Sequence, residues 1–175
     1  MSIKKIAKMS MFCAMALVSA LLIKIPLFVP YLKYDPSNVF IGLGALILGP
    51  VAGLIMSLVT GIVDMFLPNS SSGWVGLLMY LIASVAYVLP LSLIHLRHKS
   101  NKALVVGLII STIILTAAMI PANLVLTTVY NGMPFEEVVK LILPVLMPFN
   151  LLKGVINSVL IYILYTSIGT TIKEL

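Results

Sequence analysis

Charge is what this chain has least of. Only 9% of its 175 residues are Asp, Glu, Lys or Arg, and only five of those are acidic. A soluble domain carries about a quarter charged residues, so a water-surrounded fold is excluded and the chain reads as an integral membrane protein. Cysteine is nearly absent. Cys13 stands alone in an apolar run, which excludes a disulfide framework and a cysteine metal site. Histidine occurs twice, as His95 and His98 beside Arg97, and ordinary polarity at a membrane-helix end accounts for that pair better than metal binding does. There is no His-Glu-x-x-His, no Gly-x-Ser-x-Gly and no glycine loop that could cradle phosphates. The chain therefore reads as no enzyme, with no metal and no cofactor of its own.

What remains is 61% hydrophobic, with a mean hydropathy of +1.19. The net charge is +6, but the basic residues gather at the ends of apolar stretches, a pattern that orients a protein in lipid and does not suit nucleic acid. Lys4, Lys5 and Lys8 precede the first stretch, and Val18-Ser19-Ala20 loosely fits a signal-peptide cleavage site. The run continues to Ile25 and Pro26, long enough for a full span, so a first membrane helix is expected instead.

The apolar stretches are 6–27, 39–67, 74–96, 103–129 and 141–172. As one helix the second would run about 44 Å, well beyond the roughly 30 Å hydrocarbon core. Gly49-Pro50 lies inside it and is a strong helix breaker. Charge parity agrees with a break there. With Lys4, Lys5 and Lys8 inside, only a split places Arg97, Lys99, Lys102 and Lys173 inside as well. The expectation is an all-α protein with six transmembrane helices, both termini cytoplasmic, forming one membrane-embedded domain over 1–175. Its second helix, about Ser37–Leu48, is short and needs tilt or shielding by neighbours. Outer loops are expected at 29–36, 68–73 and 130–137.

Lys153 is the sole charge in the stretch 141–172, and Asn150, Lys153 and Asn157 share one helix face at i, i+3 and i+7. An amine in lipid is costly, and the default reading is a functional pocket or partner contact. Asn123 falls roughly 10 Å below the outer end of its helix, Asn150 at a similar depth and Lys153 about a turn deeper. Pro121 cannot donate to the carbonyl of Ala117, which leaves an acceptor nearby. Together these residues describe an outward-opening cavity with amides, a cation and apolar walls, suited to a small, flat, partly polar organic ligand.

Weaker candidates are Asp64, read as solvated, ion-paired or lining the site, and Asn157, read as site or helix-packing residue. Lys33 and Asp35 are expected in a solvated loop, with Asp35 or Ser37 capping the second helix. Tyr31 and Tyr34 read as interface aromatics, with a lid role as the alternative. Ala16 and Ala20, with Ser19 beside them, give a small-residue face that either internal packing or another subunit could use.

Several blocks carry a resemblance. They are Tyr31-Leu32-Lys33-Tyr34-Asp35-Pro36-Ser37, Leu48-Gly49-Pro50-Val51-Ala52-Gly53 and Val88-Leu89-Pro90. Further along come Ala122-Asn123-Leu124, Val129-Tyr130 and Leu146-Met147-Pro148-Phe149-Asn150-Leu151-Leu152-Lys153-Gly154. Over nearly its whole length the chain resembles the substrate-binding S components of energy-coupling-factor vitamin transporters, most closely the riboflavin-type branch. The resemblance implies the S-component fold, capture of riboflavin or a related flavin as transported ligand, and location in a bacterial plasma membrane. The partners it implies are a membrane T component and two ATPase subunits. It places ligand contacts at Asn123, Asn150, Lys153 and the backbone near Leu32, and T-component contacts at Ala16 and Ala20. Riboflavin-type members commonly carry a Lys-Asn pair late in the third helix, where this chain reads Thr60-Gly61-Ile62-Val63-Asp64. Another vitamin or small metabolite is therefore the alternative reading, and a structural subunit without ligand is a third.

Overall fold

A backbone in lipid must satisfy its own hydrogen bonds, so apolar runs become helices. The structure, a computed structural model, describes residues 2–67 and 73–172. Helix α1 spans Ile3–Leu22 and is followed by a hairpin of β1, Ile25–Leu27, and β2, Val29–Tyr34. Then come α2, Ser37–Leu48; α3, Pro50–Met65; α4, Gly73–Arg97; and α5, Asn101–Asn131. Short α6, Phe135–Leu141, passes through a π-helical turn, Ile142–Leu146, into α7, Met147–Ile172. Residues 68–72 of the expected second outer loop, and Lys173, lie outside the described residues.

The long second stretch is broken where the sequence placed the break. Gly49 separates α2 from α3 at φ 96°, a conformation that suits glycine, and Pro50 begins α3, where a missing N–H costs nothing. Four stretches, Ile3–Leu22, Gly73–Arg97, Asn101–Tyr130 and Phe135–Ser167, are long and apolar enough to cross a membrane, and α2 and α3 are shorter apolar helices. Short α2 packs against α1, α3, α4 and α7, and Ser37 to Ala45 are almost all buried. The fold is inside-out by the standards of soluble proteins. Ser57, Thr60, Ser84, Ser111, Thr112 and Asn157 are buried, while Ile55, Ile62, Ile109, Ile113 and Val159 point outward.

The expected loop at 29–36 is instead half of an antiparallel hairpin, with Ile25 opposite Tyr34 and Pro26 opposite Lys33. Apart from this two-stranded hairpin the described residues form helices, as expected of an all-α protein. Its turn passes through Phe28 at φ 64°. The expected loop at 130–137 is also cut short, because α5 runs on to Asn131 and α6 starts at Phe135. Leu32 of the hairpin joins Val138 of α6, Leu146 of the π turn and Phe149 of α7 in a small apolar cluster apart from the main core. This cluster fastens the hairpin over one end of the bundle.

Ala16 and Ala20 are 0% and 2% exposed, with α1 lying on α2 and α3. Within this chain the small residues let α1 pack closely on its neighbours. Cys13 is buried among the core residues of α1 and α3.

Candidate ligand-binding site

At the hairpin end of the bundle lies a cavity of about 160 Å³. Leu32, Asp64, Asn123, Asn150 and Lys153 all line it, brought together from β2, α3, α5 and α7. Asn157 does not line it. Its Oδ1 accepts a hydrogen bond from the Tyr34 hydroxyl at 3.1 Å, which ties the hairpin to α7.

The carboxamides owe their poses to their own helices. Asn150 Nδ2 donates to the Leu146 carbonyl at 2.7 Å, and Asn123 Nδ2 donates to the Met119 carbonyl at 2.7 Å. Asn150 is thereby tied to the last residue of the π turn, and such turns are frequent at functional sites. Each amide keeps unused capacity, since an Asn side chain can make up to four hydrogen bonds.

Lys153 has a partner that the sequence reading missed. Its Nζ lies 3.5 Å from Asp35 Oδ2, and the two side chains are only 10% and 14% exposed. Asp35 is therefore not a solvated loop residue. Its other oxygen accepts from the Ser37 backbone N–H at 3.1 Å and from the Ser37 hydroxyl, so it caps α2 as well. Burial pushes the Asp35 carboxyl up, but the Lys153 ammonium, both Ser37 hydrogen bonds and Lys24 outweigh it and hold the group below the ordinary carboxylate range. Tyr34 is no interface aromatic either; it is buried, and burial together with the Asp35 charge pushes its phenol up to about 12.

A second ion pair was also unforeseen. Lys24, just past α1, lies 3.0 Å from Asp64 Oδ1, and both residues line the cavity. Lys24 had been absorbed into the first apolar stretch. Tyr80, too, was missed. It lines the cavity, with its hydroxyl turned toward Ser37 and Ser84. Gly61 lets Tyr80 lie against α3, since a Cβ there would come within 2.8 Å of the ring. Phe149, Met119, Met79, Leu77 and Leu32 supply apolar walls. His95, at the opposite end of α4, hydrogen-bonds Tyr165 at 2.8 Å, and no cluster of metal-ligating side chains occurs among the described residues.

The pH response of the Asp35–Lys153 pair follows from its sign. A carboxylate whose folded value is depressed contributes stability that is complete above its unfolded value, about 4. That contribution is lost only as pH falls through the lower folded value. The Asp35 contribution to the thermal midpoint in detergent, read as wild type minus Asp35→Asn, is expected to be flat between about pH 8 and 5 and to drop below about pH 4. Acid losses of equal size in wild type and Asp35→Asn would show that other carboxylates cause them.

A family model described as "ECF transporter, substrate-specific component" matches residues 4–165. The riboflavin transporter RibU of Staphylococcus aureus is 30% identical, over 98% of this chain and 94% of the relative. The riboflavin transporter FmnP of Bacillus subtilis is 27% identical, over 99% of this chain and 96% of the relative. A solved S component of a bacterial ECF transporter superposes with a TM-score of 0.83 at 31% identity, covering 97% of this chain and 98% of that one.

Proposed function

The chain belongs to the substrate-specific components of ECF transporters, and from that premise we propose that it captures riboflavin or a related flavin outside the cell for ATP-driven uptake. The reading includes six membrane crossings with both termini cytoplasmic, in a bacterial plasma membrane, and association with a T component and two ATPase subunits.

The observation that carries the ligand reading is the cavity: two carboxamides, an ammonium and a tyrosine against apolar and aromatic walls. A flavin ring offers a flat apolar body with carbonyl oxygens and ring nitrogens along one edge. Asn123, Asn150 and Lys153 would pair with that edge, where an unmade buried hydrogen bond is costly. Leu32 would close over it with the hairpin. At about 160 Å³ the cavity is smaller than the ~300 Å³ at which drug-sized pockets begin. The hairpin and α6 would therefore lift to admit ligand and settle again.

Charge placement supports the topology. Lys4, Lys5, Lys8, Arg97, Lys99 and Lys102 gather at one end of the bundle without an acidic residue among the described ones. At the hairpin end Lys24, Lys33, Lys140 and Lys153 are balanced by Asp35, Asp64, Glu136 and Glu137. An excess of Lys and Arg marks the cytoplasmic side.

Titration of the purified chain with riboflavin, read by quenching of flavin fluorescence, is expected to saturate at one ligand per chain. The same protein in liposomes is expected to accumulate none, for the sequence holds no nucleotide-binding loop. Saturation by an unrelated vitamin but not by riboflavin would replace the flavin reading. Uptake by the chain alone would overturn the division of labour.

A further inference from the structure

The Lys24–Asp64 pair is built differently from the Lys153–Asp35 pair. Asp35 spends both oxygens, one on Ser37 and one on Lys153. Asp64 spends only Oδ1, on Lys24, and its Oδ2 has no partner among the described residues. The ammonium of Lys24 has two further protons to give. The pair is also the less buried of the two, with side chains 14% and 22% exposed, while Asn123, Asn150 and Lys153 are 0%, 2% and 8% exposed as residues. The cavity therefore has a deep wall of amides and ammonium on α5 and α7 and a shallower polar wall where α1 ends and α3 ends.

A carboxylate oxygen beside an ammonium is a matched acceptor and donor within about 3 Å. Neighbouring hydroxyl groups on a carbon chain present the complement, one O–H to give and one oxygen lone pair to receive. Charge-assisted hydrogen bonds of this kind are about twice as strong as neutral ones. The ring edge has a donor and acceptor of its own, an N–H beside a carbonyl, which the deep amides and ammonium would engage, whereas the polyol tail carries several hydroxyl pairs farther along the ligand.

We propose that Lys24 and Asp64 form a hydroxyl-binding subsite that takes the polyol tail of the ligand while the ring lies deeper, against Asn123, Asn150 and Lys153. This rests on the flavin reading above. The pair thus sets specificity for the tail, and the deep wall sets it for the ring. The field of Lys24 also reaches Asp35, so the two ion pairs face the same space and a ligand spanning them touches both.

The test compares riboflavin with lumiflavin, the same ring system carrying a methyl group in place of the polyol. Both are titrated against the wild-type chain, Asp64→Asn and the double variant Lys24→Gln/Asp64→Asn, which removes both charges together so that neither is stranded. Wild type is expected to prefer riboflavin. In the double variant the ratio of riboflavin to lumiflavin affinity is expected to fall by about tenfold or more, the scale of one to two charge-assisted hydrogen bonds. An unchanged ratio, with both ligands weakened alike or neither weakened, assigns the pair a structural role and overturns the subsite. If wild type binds neither ligand, the flavin reading has failed and the subsite falls with it, an outcome distinct from an unchanged ratio.

Discussion

Lys153→Met is expected to raise the riboflavin dissociation constant by about a hundredfold, the scale of a hydrogen bond from a charged donor in a buried site. The ammonium has two tasks. It offers protons to the cavity and it neutralises Asp35, which lies 3.5 Å away at the junction of β2 and α2. Removing it strands a buried carboxylate and costs up to about 3 kcal/mol of stability, so the single variant confounds folding with binding. Lys153→Met/Asp35→Asn separates the two. The double variant is expected to recover the thermal midpoint but not the affinity, because no donor returns to the cavity. Wild-type riboflavin binding by the double variant would remove Lys153 from the site. Asn150→Ala is expected to fall between, since its amide also holds the Leu146 carbonyl.

Gly53→Val is expected to be the most damaging single change away from the cavity. A Cβ at Gly53 would stand 2.6 Å from the Ala45 Cβ and 2.8 Å from Val88 Cγ1, so α2, α3 and α4 cannot keep their spacing. Neither contact is the far end of a flexible side chain. Overpacking of this kind costs about 3 kcal/mol, and at ~3 °C per kcal/mol the midpoint in detergent should fall by ~10 °C. Gly42→Ala provides the contrast. Its new Cβ would meet Ile161 Cδ1 at 2.7 Å, a tip that can rotate away. A thermal shift for Gly42→Ala as large as for Gly53→Val would mean that the α2–α3 crossing is not the tight point it measures as.

The break at Gly49-Pro50 and the span of α2 were legible because proline and glycine act locally, through the backbone of their own helix. Asn123, Asn150 and Lys153 were legible as candidates because polar groups are rare enough in apolar runs to stand out. Their partners were not. Tyr34 meets Asn157 across 123 positions of sequence and Lys24 meets Asp64 across 40, and no local pattern encodes either pairing. Lys24 was hidden by the apolar residues around it, and Tyr80 and Phe149 by being apolar themselves. The hairpin lacked its usual signal. Its turn has no Asn-Gly or Asp-Gly, and the left-handed position falls on Phe28. The small-residue face of α1 was visible, but small residues suit internal and external contact equally; the packing of α1 on α2 and α3 accounts for the internal use.

One consequence follows from the length of α3. Its 16 residues measure about 24 Å, some 6 Å less than a typical hydrocarbon core, and Val51, Leu58, Val59, Ile62 and Phe66 turn outward along it. As one of the six crossings proposed above, α3 would oblige the lipid beside it to thin, at a fraction of a kcal/mol for each ångström. On that topology Asp64 would sit at the rim of the thinned region, where headgroups and water reach closest to the cavity.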